Sequence, residues 1–226
     1  MPFLINKYEK IKQELALKNV TLVAVSKTKP VPDIKEAYEA GQRDFGENYV
    51  QELLEKHDSL PKDIRWHFIG HLQSNKVKFL APFIHLIHGV DSQKLLLEIN
   101  KQGQKINRAI HCLLQIHISS EETKFGLDET ELEQLISATA LNPEKYKHVS
   151  IDGLMGMASF TEDNNLVISE FKKLKTLFDN TKKRLSGTNH DFSVLSMGMS
   201  ADYGMAIDEG STMVRIGSML FGSRIQ

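Results

Sequence analysis

Lys27 follows the apolar run Leu22-Val23-Ala24-Val25, with only Ser26 between. An amine at the end of such a run is partly desolvated. Desolvation favours its neutral form, and a neutral amine attacks aldehydes. The same position also suits a lysine that ends a strand at the surface. Lys29, two residues on, either biases that amine towards neutrality as a second cation or stands in water. Two later segments combine glycine with hydroxyls and a fixed charge: Ser196-Met197-Gly198-Met199-Ser200 and Arg215-Ile216-Gly217-Ser218. Glycine admits close approach of an anion to the backbone, serine adds donors, and Arg215 carries a permanent positive charge. Taken singly, each segment is also ordinary turn chemistry.

The other candidates read more plainly. His67 and His71 are four residues apart, but the intervening Phe68-Ile69-Gly70 is strand-like, so they do not share a helix face. His111 and His117 fall within a strand run. There is no H-E-x-x-H and no cysteine–histidine cluster, and no metal site is expected. Cys112 sits inside an apolar run and reads as core. The methionines read mostly as core filling, although Met157, at the end of a strand run, is within reach of a cofactor ring. Lys172-Lys173 and Lys182-Lys183-Arg184 read as the solvated side of a helix.

The elements that must position these residues alternate. A helix carries Leu4, Tyr8, Ile11 and Leu15 at helical spacing. Strand runs then follow at 20–26, 43–46, 66–69, 84–90, 109–118, 147–155, 192–196 and 212–216. Helical stretches separate them: one with Val31, Ile34, Ala37 and Tyr38 on a face and Gly41 behind it, and one near 47–56. Another begins near Gln73, and the next is opened by Asp91 or Ser92 and closed by Gly103. The last three lie near 129–138, along Val167, Phe171, Leu174 and Phe178, and near 201–208, ended by Gly210.

Strand–helix alternation implies a parallel sheet, and eight units favour a closed (β/α)8 barrel of the TIM type over an open doubly wound sheet. No G-x-G-x-x-G follows the first strand, which weakens a dinucleotide reading. The chain of 226 residues is expected to be one domain, with an amino-terminal helix over 1–18 and the barrel over 20–224. Its net charge of −1 offers no broad basic surface for nucleic acid or membrane. A single cysteine suits a reducing compartment, and no leader or membrane span is read, so a cytoplasmic protein is expected.

In a barrel, ligands bind at the carboxyl ends of the strands. Closure makes the first strand a neighbour of the eighth. Lys27 therefore faces a phosphate cradle built by the loops after strands seven and eight. That pairing fits a phosphorylated aldehyde, with pyridoxal 5′-phosphate (PLP) the commonest case. The same parts suit a Schiff-base aldolase acting on a sugar phosphate.

The chain resembles the pyridoxal phosphate homeostasis proteins, a group of alanine-racemase-like barrels. The resemblance runs over 20–224 through several motifs in order. The first three are Leu22 to Lys29, Phe45-Gly46-Glu47-Asn48-Tyr49-Val50-Gln51-Glu52 and Trp66 to Lys76. The others are Gly153-Leu154-Met155, Leu195 to Ser200 and Gly210 to Gly217. It implies an alanine racemase N-terminal-like barrel with an extra amino-terminal helix and a Schiff base between Lys27 and PLP. It places Ser196, Ser200, Gly217 and Ser218 near the phosphate, and Asn48 and Met157 near the ring. Arg215 serves either the phosphate or the pyridine nitrogen, and Lys124 matches a second PLP contact. Racemases of this fold use a second base from an additional β domain, which this chain is expected to lack. A non-catalytic carrier in vitamin B6 balance is therefore expected, a monomer or weak dimer that hands PLP to apo PLP-dependent enzymes. The rival is a PLP enzyme of low activity, such as an amino-acid racemase.

Overall fold

A computed structural model of the protein describes residues 3–121, 125–185 and 191–222; Lys124 lies outside them. Eight parallel strands close into a barrel in chain order. They are β1 (Thr21–Val25), β2 (Asp44–Glu47), β3 (Arg65–Phe68), β4 (Leu86–Val90), β5 (Ile110–Ile116), β6 (Val149–Gly156), β7 (Val194–Ser196) and β8 (Met213–Ile216). Closure is made by β8 against β1, in register from Thr21–Met213 to Ala24–Ile216. Helix α1 (Ile5–Leu17) precedes the barrel. After β1 to β7 come, in turn, α2 (Val31–Glu39), α3 (Val50–Ser59), α4 (Val77–Leu80), α5 (Gln93–Lys105), α6 (Glu129–Leu141), α7 (Asn164–Arg184) and α8 (Tyr203–Asp208). Helix α9 (Ser218–Phe221) follows β8.

Side chains alternate across each strand, so a strand faces both the helices and the barrel interior. In β8, Val214 and Ile216 join the large layer between barrel and helices. Met213, on the opposite face, joins a separate cluster with Val23, Leu86, Leu113 and Met155. That second cluster fills the barrel interior, as layered side chains do in this architecture. Beside it the interior holds polar groups: His67, His88 and Ser196 are fully buried and Arg215 is 4% exposed.

Helix α1 buries Tyr8, Ile11 and Leu15, the spacing of one helical face. Its entry is tied to α9 by Leu4 N–H donating to the Leu220 carbonyl at 2.8 Å. Phe3 packs between the rings of Tyr8 and Phe221. Among the described residues, no helix is long and apolar enough to cross a membrane.

Three local readings change. The helix expected from Glu47 begins at Val50, because Glu47 completes β2 with its carboxylate buried. Ser92, whose Oγ accepts from Leu95 N–H, caps α5, which runs past Gly103 to Lys105. A Cβ on Gly103 would lie 2.5 Å from the His148 carbonyl oxygen and 2.6 Å from that of Arg108. Glycine is there for the close passage of two backbones, not as a helix stop. The short α9 has no counterpart among the sequence readings.

Gly153 is the tightest point of the barrel wall. Its φ is +157°, and a Cβ would fall 1.7 Å from the Val194 carbonyl oxygen on β7. Gly153→Ala is expected to cost about 3 kcal/mol or more, from strain plus overpacking. Urea unfolding, or loss of soluble protein, measures it.

Candidate functional site

A cavity of about 770 Å³ opens at the carboxyl ends of the strands. Lys27, Asn48, Met157, Ser200, Arg215, Gly217 and Ser218 all line it. Ser196 does not. It is fully buried one layer down, where its Oγ accepts from Arg215 Nη1 at 2.6 Å. Ser196 therefore reaches the cavity only through Arg215.

The backbone around Lys27 is held on both sides. On one side, Ser26 Oγ donates to Glu47 Oε1 at 2.6 Å, and the Ser26 carbonyl accepts from Lys56 Nζ at 2.7 Å. On the other, Thr28 N–H donates to Glu52 Oε1 at 2.6 Å. Lys56 links the two carboxylates, 2.7 Å from each. Thr28 itself has φ +63°, a left-handed conformation that is costly for a β-branched residue. Such strain persists only where the surroundings over-determine it, and it clusters at functional sites. Here the clamp of Glu47, Lys56 and Glu52 over-determines it and fixes where the Lys27 side chain leaves the chain.

The loops opposite are tied to each other. Gly217 N–H donates to Ser200 Oγ at 3.3 Å, and Arg215 N–H to the Gly198 carbonyl at 3.0 Å. Gly198 has φ +94°, and a Cβ there would meet the Ala206 Cβ at 2.6 Å. A Cβ on Gly217 would stand 3.3 Å from Val25 Cβ and from the Val25 carbonyl oxygen. The β8 loop thus passes close against the end of β1, just before Lys27.

Arg215 is anchored from below. Nη1 donates to the Ser196 carbonyl at 2.9 Å as well as to its Oγ, and Nη2 donates to the Gly156 carbonyl at 3.0 Å. Burial pulls its pKa down to about 10, which leaves it cationic at neutral pH. Lys29 is spent on structure: its Nζ donates to the Phe221 and Gly222 carbonyls at 2.7 and 3.2 Å, where α9 ends. Asn48 contributes a buried Oδ1 with no hydrogen-bond partner. Phe125 stacks on His71 at the cavity wall, 4.7 Å between ring centroids.

Several residues were silent in the sequence. Glu47, Glu52 and Lys56 lie in or just after a quoted motif, and the i, i+4 spacing of Glu52 and Lys56 was the available signal. His67 was weighed only with His71, and nothing marked Asp44 or His85, although ligand-type atoms of Asp44, His67 and His85 all lie within 4.8 Å of one another. Burial pulls the His85 pKa down to about 4, and Asp44 is already engaged. Asp44 Oδ1 already accepts from Arg65 Nε at 2.7 Å and faces His67 Nε2 at 3.0 Å, so both its lone pairs are used.

The sequence from residue 4 to 225 matches the family model of the alanine racemase N-terminal domain. That class is defined by the barrel just described. A pyridoxal phosphate homeostasis protein of Pasteurella multocida is 41% identical over 210 residues, covering 91% of this chain and 87% of the relative. The one from Homo sapiens is 43% identical over 213 residues, covering 90% and 76%. PipY of Synechococcus elongatus, solved without PLP, superposes with a TM-score of 0.89 at 32% identity, covering 97% of this chain and 100% of PipY. PipY with PLP bound gives 0.85 at the same identity, covering 96% and 99%. The chain belongs to the pyridoxal phosphate homeostasis family.

Two outcomes follow from the buried charges. Burial pushes the Glu47 carboxyl up, opposed by the charge and hydrogen bond of Lys56. Lys56→Met removes that compensation and is expected to cost about 3–5 kcal/mol, with part recovered in Glu47→Gln/Lys56→Met. Urea titrations of the three chains measure this. His88 is held neutral, well below its ordinary 6.5, by burial above all. Unfolded chains take up this proton as the pH falls below 6.5 and the folded chain does not. Its contribution is therefore present above that pH and lost on acidification. His88→Gln should flatten the acid limb of stability against pH.

Proposed function

We propose that this protein holds PLP at the barrel mouth, with the Lys27 amine bonding its aldehyde carbon, and that it serves vitamin B6 balance by keeping and delivering the cofactor. The observation that carries the reading is the clamped Lys27 just after β1, sharing one cavity with the tied loops of β7 and β8. PipY, a relative that spans the same length, binds PLP in the same fold. The residues present suit the group. Ser200, Ser218 and the backbone N–H of Ser218 offer donors to a phosphate, and the one carboxylate of the β7 loop that lines the cavity, Asp202, accepts from Met199 N–H. Met157 offers an apolar contact to a ring, and the partnerless Oδ1 of Asn48 offers an acceptor. Arg215 has only hydrogens to give, so whatever it meets must accept. When bound, the cofactor supplies an electrophilic carbon to amines.

Lys27 then binds by covalent exchange, which any competing amine reverses. The cavity is wide enough for such an amine to enter beside the cofactor. Reversible holding of this kind suits delivery, and we assign apo PLP-dependent enzymes as the recipients.

Borohydride reduction of PLP-loaded protein, followed by peptide mass spectrometry, tests the site. A pyridoxyl adduct on Lys27, lost in Lys27→Ala, is the expected result; an adduct spread over many surface lysines contradicts it. Delivery is tested separately. The loaded protein should reactivate an apo PLP enzyme faster than an equal amount of PLP released from Lys27→Ala.

A further inference from the structure

A file of hydrogen bonds crosses the barrel interior behind Arg215. Ser196 Oγ meets His88 Nδ1 at 3.2 Å, His88 Nε2 meets His67 Nδ1 at 2.9 Å, and His67 Nε2 meets Asp44 Oδ1 at 3.0 Å. Asp44 begins β2 at the opposite end of the barrel from the cavity, and Arg65 grips its carboxylate from outside through two hydrogen bonds. The members come from β2, β3, β4, β7 and β8, and the three between the terminal charges are fully buried.

A row of hydroxyl and imidazole groups that merely satisfied one another could point either way. This one cannot. Arg215 has no lone pair and must donate to Ser196 Oγ. Asp44 lies at the other end, where Arg65 and His67 outweigh burial and hold its carboxyl well below the usual range, so it can only accept. With one hydrogen on each ring, the hydrogens between these ends run in one direction. Ser196 gives its hydrogen to His88 Nδ1, His88 gives Nε2–H to His67 Nδ1, and His67 gives Nε2–H to Asp44.

We infer that His88 is a positioning residue for Arg215, acting through Ser196, with His67 and Asp44 fixing its tautomer. By taking the Ser196 hydrogen, His88 leaves the Ser196 lone pairs turned to the guanidinium. Arg215 is then pinned on the Ser196 carbonyl, Ser196 Oγ and the Gly156 carbonyl. Its Nε–H and second Nη2–H are left for the cavity. The inference rests on the PLP reading of that cavity and names groups behind it that touch no cofactor.

The test uses the full chain loaded with PLP, with Ser196→Ala, His88→Gln and the double variant as partners. The readouts are the visible absorbance of the bound cofactor and its release rate on dilution. Each single change should shift the absorbance and speed release about tenfold, the worth of one charge-assisted hydrogen bond. The double variant should release no faster than either single one, since both cut the same link. Cys112→Ala, a fully buried change in the outer core, should leave absorbance and release as they were even where it lowers Tm. Multiplying effects in the double variant, or a Cys112→Ala chain behaving like His88→Gln, would overturn the inference while PLP still binds. A parent chain that takes up no PLP would overturn the cofactor reading and this one with it. Should His88→Gln not fold, His88→Asn with Ser196→Ala gives the same comparison.

Discussion

A lysine side chain has four rotatable carbons and no preferred direction, so its usefulness as a single reactive amine is set by the backbone beneath it. In this protein that backbone is fixed by one buried ammonium. Lys56 sits at 4% exposure with the Ser26 carbonyl, Glu47 and Glu52 around it. Its charge allows two carboxylates to be held close together, and those carboxylates grip the residues before and after Lys27. The left-handed Thr28 is the visible consequence. A buried ion pair of this kind adds little net stability against a hydrophobic substitute, and its value lies in the geometry it imposes.

The barrel supplies the rest by closure. Because β8 pairs with β1, the end of the chain's last strand arrives beside the first reactive side chain, and the glycines at 198 and 217 let the loops lie close. The same closure creates an interior that an open sheet would lack. Half of that interior is an apolar plug, and half is the polar file from Asp44 to Arg215. The file gives a cation at the cavity wall a fixed seat from behind, with the file's own carboxylate, Asp44, at the far end of the barrel.

What was legible in the sequence followed strand ends. Lys27, Ser200, Gly217 and Ser218 could be found because a barrel puts every strand terminus on one face, so a linear list of strands becomes a spatial list of candidates. Ser196 was found by the same rule but lies one layer too deep, since a residue inside β7 differs from one after it by a single position. Lys56 stood out only as the end of a helical stretch, because burial of its ammonium depends on β2 ending in Glu47. The contact of Ser196 with His88 spans 108 positions and exists only through the interior register of the closed barrel. Periodicity cannot report such a contact. It also misses α9, whose four residues are too few to show a repeat.

A crystal structure of the protein grown with PLP tests the central claim most directly. Electron density should run unbroken from Lys27 Nζ into the cofactor, with the phosphate against the Gly217–Ser218 backbone and Ser200, and with Thr28 still left-handed. A phosphate lodged instead on the Phe125 and Phe160 side of the cavity, or a cofactor joined to a different lysine, would contradict the account.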